Sequence, residues 1–410
     1  MSRTTNVKII IIGAGIGGLC LAQHLRASQI EVAVYDRDAG PWDRKQGYRL
    51  HLDADGISAL KAALPGPLFA LFEATSMHPL PYTTIMDTSF AIQRRFQTDD
   101  YSKTQHHLTD GIAQHLNVNR ATLREILLQD LEDVCHWDAR LEGYETDETG
   151  VSAIFSDGRT ARGTMLVGAD GAGSALRRQR APDAKMMDSG ARAIYGRLAL
   201  SDARRVLPPH ALADIFTAAF DTRKLILGVG PVIYPMAPDQ AARALLPQAR
   251  LRTQDDYIGC IIAGRKELFG DDEAALRAAS SDTLQDLASR LLAEWPSGAA
   301  KVPQAGEAGS FFYVEMASCI PFDLQPETRV TLLGDAIHTM TPSLGRGANV
   351  ALRDAGLLRN WIVKHHKGEL SCDAALQAYE REMTTYGFEV VRRSADMGAK
   401  LLGQDPLSPS

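Results

Sequence analysis

The chain has 410 residues, of which 45% are hydrophobic and 23% are charged, and its formal net charge is −6 at pH 7. This composition is typical of a folded globular protein, and the length suggests two domains or one domain with a large insertion. The net charge gives no positive field that would attract nucleic acids. No apolar run is long enough to span a membrane, and the five scattered cysteines form no C-x-x-C pair, which predicts a cytoplasmic protein without disulfides or a metal site.

The clearest signal lies in residues 7–36, where a buried strand, a glycine turn, a helix and a second strand follow one another. The turn carries Gly13, Gly15 and Gly18 in the spacing G-x-G-x-x-G. The first glycine allows the turn, the second lets a pyrophosphate approach, and the third permits close helix–strand packing. Asp36 ends the second strand, where a carboxylate accepts from the hydroxyls of an unphosphorylated ribose. The pattern predicts a dinucleotide-binding site. The alternative is a βαβ unit whose glycines serve only close packing and which binds no ligand.

The next part of the chain shows mixed signals. A polar loop over residues 37–47 precedes a predicted strand at 48–52. Leucines at helical spacing over residues 54–72, interrupted by two prolines, predict two short helices. The pattern then loosens, and strands that could reach towards a substrate are expected around Phe90, Ile92 and Phe96.

A second strand–turn–helix unit is predicted further along. Asn119 is expected to cap a helix that begins at Arg120. An Asp-Gly turn then favours a hairpin between residues 151–155 and 159–165. Residues 165–174 repeat the order of buried strand, small-residue turn and helix.

Residues 192–320 differ in character and predict a mainly antiparallel sheet with one amphipathic helix at 282–294. Few small-residue turns of the earlier kind occur here, so this block is expected to form a second domain. Its strands are predicted at 192–198, 224–228, 232–236, 257–262 and 311–314.

The last part of the chain returns to the glycine-rich pattern. Residues 329–333 predict a buried strand that runs into Gly334 and Asp335, and a glycine loop then leads into a helix through Trp361. A final amphipathic helix is expected over residues 373–402, and the proline-containing tail after it is expected to be disordered.

Together these three segments resemble the FAD-dependent monooxygenases of the para-hydroxybenzoate hydroxylase type, the class A flavoprotein aromatic hydroxylases. The first motif is the fingerprint described above, and the second matches residues 168–177. The third motif matches Gly334, Asp335, Pro342, Gly345, Gly347, Ala348, Asn349 and Asp354.

The resemblance implies an α/β fold, with a Rossmann-like FAD-binding domain, a mainly antiparallel β-sheet substrate domain and a C-terminal helix. The FAD-binding domain would be discontinuous, over residues 1–77, 108–186 and 322–403. Residues 78–107 and 187–321 would form the substrate domain, and residues 404–410 the disordered tail.

The resemblance also implies roles for individual residues. Asp36 would bind the adenosine ribose, Arg120 would lie near the ribityl chain, and Asp335 would accept from ribityl hydroxyls. Asp170 and Arg177 would shape a segment shared by FAD and the nicotinamide donor. The full set of implied cofactor contacts is Gly13, Gly15, Gly18, Asp36, Arg37, Arg44, Gly47, Arg120, Asp170, Gly171, Asp335, Pro342, Gly345, Gly347, Ala348 and Asn349.

The third motif also has a physical argument of its own. Reduced flavin carries negative charge on its pyrimidine edge, and a helix that opens near Ala348 offers it free N–H groups and a positive dipole end. Arg346 adds a formal positive charge nearby. Pro342 would line the place where oxygen reacts.

No catalytic acid or base can be named from the sequence. Tyr195 and Arg197 are candidates for the substrate pocket, whereas Met236, Phe96 and Phe312 are as compatible with plain core. His338 is expected to be a buried, hydrogen-bonded histidine, and Asp354 a hydrogen-bond partner rather than a reactive acid.

The implied reaction uses NADPH or NADH and O₂. Through a flavin hydroperoxide it would hydroxylate or otherwise oxygenate an aromatic or polyketide-like small molecule of secondary metabolism, in a monomer or weak dimer. No second G-x-G-x-x-G is present, so the nicotinamide would bind transiently. Alternatives are an isoprenoid reductase, a non-enzymatic prenyl-protein binder and a flavin-dependent halogenase, although the isolated tryptophans do not form the W-x-W-x-I-P pattern of halogenases.

Overall fold

The computed structural model describes residues 7–43, 48–77, 80–97 and 115–407. The strands are β1 (Lys8–Ile12), β2 (Glu31–Tyr35), β3 (Arg49–Asp53), β4 (Tyr82–Met86), β5 (Ile92–Gln97), β6 (His115–Asn119), β7 (Cys135–His136), β8 (Leu141–Thr146), β9 (Val151–Phe155), β10 (Thr160–Gly163), β11 (Met165–Gly168), β12 (Met186–Ala199), β13 (Phe216–Phe220), β14 (Ile226–Val232), β15 (Tyr257–Arg265), β16 (Phe312–Cys319) and β17 (Val330–Leu332). The helices are α1 (Ile16–Ala27), α2 (Ala54–Ala63), α3 (Gly66–Thr75), α4 (Arg120–Leu128), α5 (Ala175–Arg180), α6 (Leu200–Val206), α7 (Pro209–Ala213), α8 (Pro238–Leu245), α9 (Glu273–Ala278), α10 (Ser281–Leu291), α11 (Lys301–Gln304), α12 (Asp335–His338), α13 (Gly347–His366) and α14 (Cys372–Leu402). Two 3₁₀ turns cover Lys266–Leu268 and Pro342–Leu344.

A parallel sheet carries the glycine-rich segments. Its strand order is β17-β11-β1-β2-β7, and every pair in it is parallel. The isoleucines of β1 are buried, as expected for a central strand covered on both faces. Because β17, β11 and β1 are neighbours that run in the same direction, the three segments that follow them meet at one edge of the sheet.

A second sheet of seven strands has the order β16-β12-β15-β14-β13-β4-β5, and only the pairing of β13 with β4 is parallel. One face packs on α6, α7 and α10 through residues such as Ile194 and Ile262. The opposite face meets the two-stranded sheet of β3 and β6, where Arg49 of β3 lies against Gly230. The predicted α/β fold with a mainly antiparallel second sheet is therefore confirmed, whereas the domain boundaries stay a prediction.

Local patterns located most of these elements and misplaced a few. The two helices predicted over 54–72 are α2 and α3, and the side chain of Asn119 accepts from the backbone N–H of Thr122 at the start of α4, as predicted. The two strands predicted at 224–228 and 232–236 are a single strand, β14, which ends at Val232, and residues 233–236 lie outside it, shortly before Pro238 begins α8. Strand β13 was not predicted, because its sequence FTAAF has no alternation of apolar and polar residues.

The expectation of a disordered tail is wrong for residues 404–407, the part of it that is described. Gly403 ends α14 in a left-handed conformation and turns the chain back onto the fold. Gln404 is buried and accepts a hydrogen bond of 2.8 Å from the hydroxyl of Thr341, while Asp405 pairs with Arg265 at 2.8 Å. These partners come from distant elements, so no local pattern could reveal them.

The sequence also led to expectations about membrane-spanning helices, metal sites and disulfides. Within the described ranges, no helix is both long enough and apolar enough to cross a membrane, and no group of His, Cys, Asp and Glu side chains could hold a metal ion. All five cysteines are described, and each is a free thiol.

His24 gives a test of the packing between the glycine-rich helix and its neighbours. It is 2% exposed, and neither of its ring nitrogens has a hydrogen-bond partner. Burial, with a smaller contribution from the charge of Arg359, lowers the pKa of His24 to about 4.

We expect the free energy of unfolding to fall by about 2 kcal/mol between pH 7 and pH 5 on account of His24. The unfolded chain takes up a proton below its ordinary pKa, whereas the folded chain resists protonation until the pH reaches the lowered value. Urea unfolding of the protein and of His24→Gln at both pH values measures this. An equal loss of stability in the two proteins would contradict the prediction.

Candidate functional site

The three glycine-rich segments lie against one another at the carboxyl edge of the parallel sheet. A Cβ atom placed on Gly13 would lie 2.3 Å from the carbonyl oxygen of Ala169, so the first two segments touch through their backbones. Arg177 joins the second segment to the third, because it donates to the carbonyl of Ala172 at 2.7 Å and to that of Ala336 at 3.0 Å. One crevice is therefore bordered by all three motifs.

The glycines of the first motif differ in what limits them. Gly13 has φ of 111°, which L side chains rarely adopt, and a Cβ on Gly18 would lie 2.1 Å from the carbonyl oxygen of Gly13. A Cβ on Gly15, by contrast, would meet no atom within 4 Å. The first and third glycines are required by the fold itself, while the second borders open space at the start of α1.

Asp36 lies where the fingerprint predicts it, at the end of β2. Its carboxylate accepts from the backbone N–H groups of Ala14 at 2.6 Å and Asp38 at 2.9 Å, and so it holds the glycine turn in place. Arg37 is exposed beside it, whereas Arg44 and Gly47 lie outside the described residues.

Arg124 is a residue of this region that the sequence analysis missed. It is 1% exposed, its Nε donates to the carbonyl of Ala14 at 2.9 Å, and an Nη donates to the carbonyl of Pro41. A buried arginine thus fixes both the glycine turn and the loop after β2. Its place at the fifth position of α4 carries no local signal for such a role.

Two acidic residues of the second and third motifs are used differently. Asp170 accepts from the backbone N–H of Ala175 at 2.7 Å and from the hydroxyl of Ser174, so it caps α5. Among the described residues, none donates a hydrogen bond to the carboxylate of Asp335, which is exposed although the residues around it from 330 to 339 are buried. The carboxylate that is available to a ligand at this edge is therefore that of Asp335.

The surroundings of Asp335 change the pKa of its carboxyl group. The protein atoms crowded around the carboxylate raise its pKa above the ordinary value, and the positive charges of His338 and Arg120 partly counter that shift. Arg120 thus lies near enough to act on Asp335, as the resemblance implies for two residues that contact the same chain of a cofactor.

The third motif closes the crevice from the other side. A Cβ on Gly347 would lie 3.8 Å from Oδ1 of Asp335, so the loop between Pro342 and Gly347 lies over that carboxylate. Among the residues that the structure describes, no side chain caps α13, which begins at Gly347, and none caps α1. The first backbone N–H groups of both helices are consequently available to a ligand.

Two polar side chains at the start of α13 bind other parts of the protein rather than face the crevice. Asn349 is buried, its Oδ1 accepts from the backbone N–H of Asp53 and its Nδ2 donates to the carbonyl of His51, both at 2.9 Å. Arg346 pairs with Asp53 at 2.9 Å and with Asp55 at 3.2 Å. The positive charge that Arg346 was expected to add near the flavin therefore faces two carboxylates.

The two substrate candidates lie on the face of the seven-stranded sheet that turns towards the crevice. The ring of Tyr195 stacks on Phe312 with centroids 5.5 Å apart, and burial raises the pKa of its hydroxyl to about 12, so this phenol stays protonated. Two residues further along, Arg197 borders a polar pocket of about 220 Å³ and pairs with Glu307 at 2.6 Å. This face therefore has two separate parts: an aromatic wall formed by Tyr195 and Phe312, and a charged opening bordered by Arg197 and Glu307, which we call the polar mouth.

The remaining candidates lie elsewhere. Met236 packs against the core around α3, and its backbone N–H donates to the carbonyl of Ala74. Phe96 is on the edge strand β5, with the guanidinium of Arg94 4.5 Å from the centre of its ring. Of these three side chains, only Phe312 lines the face that turns towards the crevice.

Comparison with known proteins agrees with this arrangement. The profile of the FAD binding domain family matches residues 6–195 and 283–394. The dual O-methyltransferase/FAD-dependent monooxygenase elcB of Phaeosphaeria nodorum is 33% identical over 381 residues, which are 86% of this chain and 40% of that protein. This chain spans less than half the length of the fungal dual enzymes that it matches in this way.

Other relatives match over most of their length. The FAD-dependent urate hydroxylase of Klebsiella pneumoniae is 27% identical over 362 residues, which cover 86% of this chain and 80% of that one. A solved structure from Photorhabdus luminescens, assigned as a FAD-containing monooxygenase, superposes with a TM-score of 0.80 at 27% identity and covers 96% of this chain and 98% of its own. The resemblance drawn from the sequence is confirmed.

The two kinds of glycine in the first motif can be told apart by substitution. Gly18→Ala should lower the free energy of unfolding by about 3 kcal/mol or more, because its methyl group would collide with the Gly13 carbonyl. Gly15→Ala should leave stability within about 1 kcal/mol, since its methyl group meets open space. Urea unfolding of the two apoproteins measures the difference, and equal losses would contradict this account of the turn.

Proposed function

This chain belongs to the FAD binding domain family, and from that premise we propose that it is a monooxygenase that uses NAD(P)H and O₂ to oxygenate an aromatic or polyketide-like small molecule. The observation that carries the proposal is the meeting of three distant glycine-rich segments around one crevice, with a free carboxylate at its floor. Neither the reductase nor the halogenase alternative finds support among the relatives, whose names describe monooxygenases and a hydroxylase.

The residues of the crevice fit FAD in two places. Open space above Gly15, at the uncapped start of α1, suits a pyrophosphate, because free N–H groups and the positive dipole end of the helix point there. Asp36, whose carboxylate is ordered by Ala14 and Asp38, is within the same turn and can still accept from ribose hydroxyls through its other lone pairs.

The second place lies between Asp335, which we call the floor of the crevice, and the start of α13, which lies over it. Asp335 and Arg120 would hold the ribityl chain, and the first N–H groups of α13 at Gly347, Ala348 and Asn349 would face the pyrimidine edge of the flavin. Since Arg346 is neutralised by two aspartates, the stabilisation of a negative flavin would come from the helix terminus rather than from a side-chain charge.

When bound, the flavin would supply the electron transfer from the nicotinamide and the activation of oxygen; the protein would bind, orient and exclude water. Pro342 and Gly345 would shape the side of the ring where oxygen reacts. Arg37 and Gly171 would contact the cofactor at the edges of the first and second motifs, and Asp170 would act indirectly, through the start of α5 that it caps.

The substrate would lie between the loop at Pro342 and the sheet face that carries Tyr195. The stacked rings of Tyr195 and Phe312 offer a flat apolar wall to an aromatic substrate, and the neutral phenol can donate a hydrogen bond to it. Arg197, at the polar mouth, would meet a polar end of the same molecule. The urate hydroxylase relative, whose name specifies an aromatic heterocycle, agrees with this class.

We further propose a cytoplasmic location and a monomer or weak dimer. The five free cysteines, of which all but Cys135 are buried, support a reducing compartment. Sedimentation at several protein concentrations measures the oligomeric state.

The function is tested with the purified protein and added FAD. We expect a yellow holoprotein whose oxidation of NADPH or NADH accelerates when a substrate is present, in a screen of urate, phenols and polyketide-derived aromatic compounds. Hydrogen peroxide is measured in parallel, because peroxide formed in place of product shows uncoupling, and mass spectrometry of the product distinguishes added oxygen from added hydrogen. A protein that stays colourless with FAD would refute the proposal.

The two aspartates of the crevice provide a matched pair of variants. Asp335→Asn should weaken FAD binding about tenfold, as expected for the loss of a charged hydrogen-bond acceptor, without destabilising the apoprotein. Asp170→Asn should instead lower the melting temperature, because the cap of α5 is weakened. Flavin fluorescence titration and thermal unfolding measure the two effects. The reverse pattern would show that Asp170 is the cofactor ligand.

A further inference from the structure

A group of hydrogen-bonded residues lies behind Asp335, and the proposed function above gives it no part in binding FAD. Asp354, in α13, is completely buried, and both of its carboxylate oxygens are engaged. Oδ2 accepts from the backbone N–H of Gly334 at 2.8 Å and from Nε2 of His338 at 2.6 Å, and Oδ1 accepts from the hydroxyl of Tyr386. We call Asp354, His338 and Tyr386 the Asp354 cluster.

The cluster holds both ends of the turn that carries Asp335. Gly334 and His338 stand at the start and the end of α12, and a single oxygen atom of Asp354 binds them both. Gly334 has φ of 61°, a left-handed conformation that glycine adopts readily, and its N–H is fixed by that bond. The direction of the Asp335 carboxylate therefore depends on Asp354, although the described hydrogen bonds of Asp354 go to Gly334, His338 and Tyr386 and not to Asp335 itself.

The C-terminal helix α14 takes part in the same arrangement. It supplies the Tyr386 hydroxyl, and the next residue, Gly387, leaves room for the imidazole, since a Cβ there would lie 2.8 Å from Cδ2 of His338. The guanidinium of Arg353 lies over the Tyr386 ring, 4.0 Å from its centre. A helix far from the first two motifs thus supports the turn at the floor of the crevice.

The pairing of Asp354 with His338 explains why the carboxylate of Asp354 can be buried. A buried carboxylate is tolerated when it is paired and hydrogen-bonded. Burial by itself lowers the pKa of His338, but the charge and hydrogen bond of Asp354, together with the charge of Asp335 and a backbone hydrogen bond, raise it above its ordinary value, which favours an imidazolium beside Asp354. Removal of one donor from such a group is expected to loosen the remaining bonds rather than leave them unchanged.

We propose that the Asp354 cluster is a positioning device for Asp335, through which the C-terminal helix sets the affinity of the crevice for FAD. This inference rests on the proposed function, because it takes Asp335 as a cofactor ligand. Tyr386 is a positioning residue: its hydroxyl binds Asp354 and acts on the cofactor only through the turn from Gly334 to His338.

The test compares two tyrosines of the same helix. Tyr386→Phe removes one hydrogen bond to the cluster, whereas Tyr379→Phe removes the 2.9 Å bond from a buried hydroxyl to the carbonyl of Leu332, in the strand before the turn. We expect the dissociation constant of FAD to rise about tenfold for Tyr386→Phe and to stay within about twofold for Tyr379→Phe. Hydrogen exchange of the apoproteins should show faster exchange at residues 334–338 only for Tyr386→Phe.

A second variant leaves every hydrogen-bonding group in place. Gly387→Ala should displace the imidazole of His338 and weaken FAD binding in the same direction as Tyr386→Phe. Equal affinities for Tyr386→Phe and Tyr379→Phe, with thermal unfolding showing that both proteins are folded, would overturn the proposal and leave the cluster as part of the core. Failure of the unaltered protein to bind FAD in the same titration would instead refute the proposed function.

Discussion

The structure depends on backbone contacts of glycines at the edge of the parallel sheet where β17, β11 and β1 end side by side. These contacts are too close for any residue with a side chain. The backbone of Gly13 lies so close to the carbonyl of Ala169 that a Cβ would approach it to 2.3 Å, and Gly18 lies equally close to Gly13. Only glycine permits these approaches, and the contact of Gly13 with Ala169 brings segments more than 150 residues apart in sequence to a common edge. Because the neighbouring strands are parallel and buried, everything that follows them must emerge into the same crevice.

The crevice is polarised by backbone more than by side-chain charge. Asp36 and Asp170 accept hydrogen bonds from backbone N–H groups, and Arg346 is paired with two aspartates, so these charged side chains already have protein partners. Two uncapped helix starts and the carboxylate of Asp335 remain. A ligand with an anionic end and several hydroxyl groups matches that combination, since helix termini accept anions while a carboxylate accepts from hydroxyls.

The sequence predicted what local patterns can encode. The strand–turn–helix units, the Asn119 cap and the course of α14 follow from periodicity and from residues that act on their own neighbours. It could not predict pairings between distant elements. Arg346 meets Asp53 and Asp55 across nearly 300 residues, and Gln404 meets Thr341 only because Gly403 reverses the chain. Strand β13 was missed because its neighbours in the sheet, rather than its own sequence, make it a strand.

These differences explain why the cofactor site could be recognised and the substrate could not. The cofactor side consists of short motifs whose residues stand close together in sequence, and each motif can be read separately. The proposed substrate side consists of single residues from different strands, such as Tyr195 and Phe312, whose stacking exists only once β12 and β16 are paired. One face of that sheet is packed by helices, so changes to the other face would alter the wall and the mouth of the pocket without disturbing the glycine contacts. Substrate choice can therefore vary in this fold while the crevice for the cofactor stays the same.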